Sequence, residues 1–152
     1  VATVVNKLLG GLAPDLAIFG EKDFQQIMVV RQMVEDCRLP CEILAAPTMR
    51  EDDGLAMSSR NQYLDQTQRA KAAGMYKTLN EIKNMLHMGS LPVAQAPVLG
   101  AQMLLQAGFD KVDYVSLVDL PEMNNAKTYQ QGQRLLAAAW LGNTRLIDNI
   151  EP

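Results

Sequence analysis

The sequence predicts an α/β chain in two parts: a parallel βαβ piece, then a small α+β domain with an antiparallel sheet. Two observations carry the first part. The short apolar runs Leu16-Ala17-Ile18-Phe19 and Cys41–Ala46 are bounded by turn residues, and a helical pattern lies between them. One observation carries the second. Helical patterns give way to strand-like runs, the last two joined around Gly142-Asn143, a tight-turn signal.

Each element has its own reason. Val1 to Leu12 places Val4, Val5, Leu8, Leu9 and Leu12 at helical spacing, with Asn6 and Lys7 on the other side. Gly10, Gly11 and Pro14 stop that helix. Leu16–Phe19 then predicts a buried strand, and Asp23–Arg38 a helix with Phe24, Ile27, Met28, Val30, Val34 and Cys37 as its apolar side. Cys41–Ala46, closed by Pro47, predicts a second strand parallel to the first. Asp65 or Thr67 can cap a helix that carries Ala70, Ala73, Tyr76, Leu79, Ile82 and Leu86 and ends at Gly89. Ser90-Leu91-Pro92 open another, with Pro97 as an irregularity, running through Leu99, Met103 and Leu104 to Gly108. Val112–Val118, Arg134–Trp140 and Arg145–Asn149 read as strands. The expected domains are residues 1–61 and 62–152, with a hinge just after Asn61.

Composition narrows the function classes. The 152 residues are 48% apolar and 20% charged, a globular profile, with net charge −3. An acidic chain argues against a nucleic-acid partner. No apolar run approaches a membrane span, and no charged leader precedes the first helix. A start at Val1 suggests a processed chain or a piece of something longer. Cys37 and Cys41 read as a reduced pair, which fits a cytoplasmic protein. With His87 the only histidine, no metal site is predicted. His87 itself reads as a surface residue near a helix end, and the nine methionines as core filler.

Two segments carry chemistry. Gly54-Leu55-Ala56-Met57-Ser58-Ser59-Arg60-Asn61 offers two hydroxyls and a guanidinium, donors suited to polyphosphate oxygens. On its own such a stretch is as well explained as an exposed turn or helix cap. Gly20-Glu21-Lys22-Asp23-Phe24-Gln25-Gln26 leaves the first strand and enters the helix. Open parallel sheets bind ligands at the carboxyl ends of their strands, so both segments are expected on one rim. Lys22 and Arg60 are then expected to face one crevice, with Ser58 and Ser59 between them. Glu51, Asp52 and Asp53 read as a solvated, movable loop without chemistry.

These two motifs, followed by Ala138-Ala139-Trp140-Leu141-Gly142 and Arg145-Leu146-Ile147-Asp148-Asn149, resemble the pantothenate synthetase (pantoate–β-alanine ligase) family. The match runs in order along nearly the whole chain. It implies a partial Rossmann-like fold of the HUP nucleotidyltransferase type, followed by a lid-like α+β domain. The Ser58-Ser59-Arg60 stretch resembles the family's counterpart of the KMSKS loop of class I aminoacyl-tRNA synthetases. The implied reaction has two steps. ATP and pantoate, with magnesium, give pantoyl adenylate and pyrophosphate; β-alanine then displaces AMP to form pantothenate. The resemblance implies that Lys22, Ser58, Ser59 and Arg60 address phosphate and that Asp23 and the Gly20 backbone lie by the ribose. It also implies that the backbones of Met49 and Met57 line the adenine, that Gln26 holds pantoate, and that the assembly is a homodimer.

One departure matters. The family's His-containing motif and a further pantoate-contacting glutamine do not occur here. The chain therefore resembles the C-terminal portion of such an enzyme and is expected to be inactive alone. Two other classes stay open: another adenylate-forming nucleotidyltransferase of the same fold, and a non-catalytic folding or dimerisation fragment.

Overall fold

The computed structural model describes all 152 residues and contains two compact units, Val1–Thr48 and Met49–Pro152. In the first, α1 spans Ala2–Leu12 and stops where Ala13 enters the left-handed region (φ 44), its N–H bonding to the Leu9 carbonyl. Strand β1 (Leu16–Gly20) follows, then a 3-10 turn over Glu21–Asp23, helix α2 (Phe24–Asp36) and strand β2 (Glu42–Ala46). The strands pair in parallel from Leu16 opposite Glu42 to Gly20 opposite Ala46. Their carboxyl ends therefore share one edge, as the βαβ pattern predicts.

Burial in this unit is one-sided. Ile27, Val30 and Met33 of α2 pack with Leu9, Cys41 and Ile43, while Ala17, Phe19 and Ala45 join from the sheet. The opposite face stays open, with Leu16 at 44%, Ile18 at 65% and Leu44 at 40% exposure. This corrects the expectation of a fully buried first strand. Side chains alternate across a strand, and this chain's helices cover only one of the two faces. The helix is also shorter than its pattern. It ends at Asp36, and Cys37, expected on the apolar side, is exposed.

The second unit begins with the Met49–Ser58 loop and a 3-10 turn over Ser59–Tyr63. Helices α3 (Gln66–Ala72), α4 (Gly74–His87) and α5 (Ala96–Gln106) come next. Strands β3 (Lys111–Asp119), β4 (Asn124–Asn125), β5 (Arg134–Leu141) and β6 (Thr144–Ile150) form an antiparallel sheet in the order β4-β3-β5-β6. Leu79 and Ile82 of α4, Leu104 of α5, and Leu135, Ala137, Ala139 and Leu141 of β5 share its core. Leu79 and Leu104 are fully buried, so truncating either to alanine costs about 2–5 kcal/mol. Gly100 lets α5 lie close to the sheet: a Cβ there would meet Val115 Cγ1 at 2.7 Å.

Two predicted helices differ in detail. The single helix expected between Asp65 and Gly89 is two, broken at Ala73. Gly74 follows the break, where a Cβ would stand 2.8 Å from that of Ala107, so the bend brings backbone close to the end of α5. Asp65 is the cap, in a reciprocal box with Gln68. The helix expected from Leu91 starts instead at Ala96, after a 3-10 turn over Val93–Gln95, and Pro97 sits in its first turn. Proline lacks the N–H that a first turn leaves unpaired anyway, so Pro97 marks a start, not an irregularity.

Candidate functional site

The predicted site residues fall into two groups, one in each compact unit. In the first, Gly20 is the last residue of β1, Lys22 and Asp23 lie in the 3-10 turn, and Gln26 is in the opening turn of α2. Lys22 donates to the Asp23 carboxylate at 3.2 Å. Asp23 makes no capping bond to the helix N-terminus, so its carboxylate serves the lysine. The Lys22 side chain is 15% exposed against 50% for Asp23. A stem packed in this way limits how far the ammonium can wander.

In the second, the Met49–Asn61 loop folds back on itself. Met57 N–H donates to the Met49 carbonyl at 2.9 Å, and Arg50 and Ala56 form an isolated antiparallel bridge. The Met57 N–H is thus used within the loop. Ser58 accepts from the Arg60 N–H at 3.2 Å and so caps the 3-10 turn. Ser59 and Arg60 are exposed, and the Arg60 guanidinium makes no hydrogen bond or ion pair within the chain. Asn61 is tied inward by its Nδ2, which donates to the Ala56 carbonyl at 3.1 Å, while its buried Oδ1 has no partner.

What holds this loop is not written in any local pattern of the sequence. Arg50 makes a bidentate pair with Asp148 of β6, at 2.6 and 3.0 Å, and also donates to the carbonyls of Gly54 and Asn149. Its guanidinium lies 4.0 Å from the centre of the Tyr76 ring, a cation–π contact. Gly54 turns the loop beneath, with φ +92 and room for no Cβ, since one would meet Tyr76 Cδ1 at 2.3 Å. The expectation that Glu51, Asp52 and Asp53 form a purely solvated loop is corrected at Asp53. Its carboxylate pairs with Arg69 of α3 and accepts from the Leu55 N–H. The Arg69 hydrogen bond, helped by the Leu55 N–H, holds the Asp53 carboxyl below its ordinary value. Of these residues only Asp148 and Asn149 fall in a stretch that the C-terminal motifs mark, and nothing there points to Arg50.

A second node lies on the sheet. Asp113 is the extra residue of a bulge in β3, between the Val112 and Tyr114 pairings. Its carboxylate accepts from Arg145 Nε at 2.7 Å and Trp140 Nε1 at 2.9 Å, and Lys111 stands 3.4 Å away. The Arg145 bond first, and the Trp140 N–H second, hold the Asp113 carboxyl below the usual carboxylate range. The hairpin turn beyond has Gly142 at φ +54 and Asn143 outside the left-handed region, the pattern of a type II′ turn. His87 contacts the Tyr129 hydroxyl at 3.1 Å, and Cys37 and Cys41 are free thiols.

The family model described as pantoate-beta-alanine ligase matches residues 1–151. The chain belongs to the pantoate–β-alanine ligase family. Among the family's curated members, the pantothenate synthetase of Acidiphilium cryptum is 49% identical over 150 residues, covering 99% of this chain and 53% of its own. That of Paramagnetospirillum magneticum is 48% identical, with 99% and 52% covered. The crystal structure of pantothenate synthetase from Thermus thermophilus superposes with a TM-score of 0.92 at 39% identity, over 99% of this chain and 54% of that one. A ligase from Francisella tularensis, solved with β,γ-ATP and β-alanine, gives 0.65 at 28% identity, over 99% and 48%. The chain thus spans about half the length of the curated relatives it matches and carries the family fold: a parallel two-stranded sheet with helices, then a four-stranded antiparallel sheet.

Proposed function

We propose that this chain contributes one side of the active site of an ATP-dependent ligase that condenses pantoate with β-alanine through a pantoyl adenylate. The observation that carries this reading is the family match over residues 1–151, which spans both phosphate-competent segments, Gly20–Gln26 and Gly54–Asn61. That the Francisella relative was crystallised with an ATP analogue and β-alanine supports the choice of substrates. In this reading the enzyme works as a homodimer in the cytoplasm, and residues 62–152 act as a lid on the nucleotide-binding part.

The chemistry assigns each residue a task. The pantoate carboxylate attacks the α-phosphorus of ATP, and negative charge builds on the departing pyrophosphate. Fixed cations and hydroxyl donors aimed at the β- and γ-phosphates stabilise that charge more than they stabilise bound ATP. Lys22 and Arg60 supply the charge, and Ser58 and Ser59 the hydroxyl donors. Lys22 exchanges its exposed Asp23 partner for phosphate, and Asp23 is released toward the ribose beside the Gly20 backbone. Gln26 orients pantoate. The backbones of Met49 and Met57, bonded to each other through the Met57 N–H, lie along the adenine. The β-alanine amine then attacks the acyl carbon, AMP leaves, and pantothenate forms. No group of three or more His, Cys, Asp or Glu side chains is arranged to hold a metal ion. Magnesium in this reading arrives on the nucleotide, as is usual for that ion, and no step is assigned to it.

The test is a chimera in which these 152 residues replace the matching stretch of the Acidiphilium enzyme. AMP formation that depends on ATP, pantoate and β-alanine is expected, with a drop of about 100-fold or more for Lys22→Ala in the chimera. A folded chimera that forms no AMP refutes the function, and an active Lys22→Ala chimera refutes the role of Lys22. The 152 residues alone are expected to give no turnover.

A further inference from the structure

Residues 49–57 form a small hairpin, and the 3-10 turn over Ser59–Tyr63 follows at its end. Glu51 N–H donates to the Leu55 carbonyl and Met57 N–H to the Met49 carbonyl, each at 2.9 Å, with Arg50 and Ala56 bridged between them. The Arg50 guanidinium fastens this hairpin to Asp148 and Asn149 of β6. That grip reaches Gly54 and goes no further along the loop. Ser58, Ser59 and Arg60 lie beyond it, half-buried or exposed.

Asn61 ties them back. Its Nδ2 donates to the Ala56 carbonyl at 3.1 Å, which closes a ring across Met57, Ser58, Ser59 and Arg60. The other bonds of the turn are internal to it. Ser58 Oγ accepts from the Arg60 N–H at 3.2 Å, the Ser58 carbonyl accepts from the Asn61 N–H at 3.0 Å, and the Asn61 carbonyl accepts from the Leu64 N–H at 3.2 Å. Bonds of that kind travel with the turn when it moves. The Nδ2 bond is different, because Ala56 belongs to the anchored hairpin.

The same carboxamide is a poor choice for stability. The Ala56 carbonyl can only accept, which fixes the end that faces it as nitrogen. Oδ1 then points the other way, and it is the one buried side-chain nitrogen or oxygen in the chain without a partner. A buried acceptor with no donor costs at least as much as a typical internal hydrogen bond returns. The bond made and the bond missing therefore offset each other in the fold, and what remains is their effect on geometry.

We propose that Asn61 is a positioning residue that sets the turn carrying Ser58, Ser59 and Arg60. Its consequence for catalysis rests on the ligase reading. There the three residues address the β- and γ-phosphates, so a turn cut loose from Ala56 slows adenylate formation. The attack of β-alanine is spared, because the adenylate has already lost those phosphates.

The experiment has two arms. In the purified chain, amide hydrogen exchange is followed residue by residue by NMR. Asn61→Ala should speed exchange at the Arg60 and Leu64 N–H groups at least about 10-fold and leave those of Glu51 and Met57 unchanged. The urea midpoint should stay within about 0.5 M of the parent. In the chimera, exchange of labelled pyrophosphate into ATP with pantoate reads the first step, and AMP release from supplied pantoyl adenylate and β-alanine reads the second. Asn61→Ala should lower the rate of the first about 10- to 100-fold. The second step and the KM for pantoate should stay within about twofold. Asn61→Asp keeps the shape but turns the donor into an acceptor at about pH 8, and it should slow the first step at least as much. Unchanged exchange at Arg60 and Leu64 overturns the proposal, as does a first step unaffected by either variant. Equal loss in both steps, or a larger fall in the urea midpoint, would show a merely structural role and overturn it too. Loosened amides in the chain together with an inactive parent chimera would sink the ligase reading and leave Asn61 as the residue that sets the turn.

Discussion

Replacing Arg50 with methionine tests what clamps the Met49–Asn61 loop. Arg50 gives Asp148 two charge-assisted hydrogen bonds, at 2.6 and 3.0 Å, and the Asp148 side chain is 3% exposed. Removing the guanidinium leaves that carboxylate with one remaining donor, the Asn149 N–H at 2.8 Å. Breaking a buried pair from one side costs about 3–5 kcal/mol, mostly from the charge left behind. The cation–π contact with Tyr76 adds about 0.5–2 kcal/mol. Arg50 keeps 18% of its side-chain surface, so water screens part of this and the lower end, about 3 kcal/mol, is expected. Urea unfolding followed by Trp140, which lies in the same unit, is the assay. With a slope of about 1.5 kcal/mol per molar, the midpoint should fall by about 2 M. A fall under about 0.5 M refutes the reasoning. The double variant Arg50→Met, Asp148→Leu removes the stranded charge and should recover at least half of the loss; no recovery would show that the pair is not the source.

Three further outcomes are expected. Gly54→Ala should cost about 1–3 kcal/mol in the same urea assay, because its φ is +92 and the added Cβ meets Tyr76; a neutral effect would contradict both. Asp113 has a folded-state pKa held below its unfolded value, so its contribution is present above the unfolded carboxylate range, about pH 4, and is lost as pH falls through the folded value. Trp140 fluorescence should therefore change on acidification below about pH 4, and Asp113→Asn should abolish that step; an unchanged acid transition would exclude Asp113. Ile18→Thr should alter the stability of this chain by under about 0.5 kcal/mol, since Ile18 is 65% exposed, and a larger loss by calorimetry would mean that the open sheet face is covered in solution.

The sequence alone determined most of the element order. Periodicity is a local property, so the βαβ piece, its parallel pairing and the Gly142-Asn143 hairpin were legible without coordinates. So were the segments that carry the family match, because Lys22, Ser58, Ser59 and Arg60 are contiguous with their motifs. Helix breaks were less legible. Gly74 reads like any tolerated helical glycine until the approach of Ala107 explains it, and Pro97 marks a start only once the preceding turn is seen.

Only the tertiary structure decided which residues meet across long stretches of chain. Arg50 and Asp148 lie 98 residues apart, and neither has a local pattern that names the other. Asp113 becomes a hub for Arg145 and Trp140 because one bulge shifts its register, which no alternation of apolar and polar residues predicts. The same applies to the open face of β1 and β2. A run such as Leu16–Phe19 announces an apolar strand, but burial depends on what else lies against it, and that is a property of the assembled sheet.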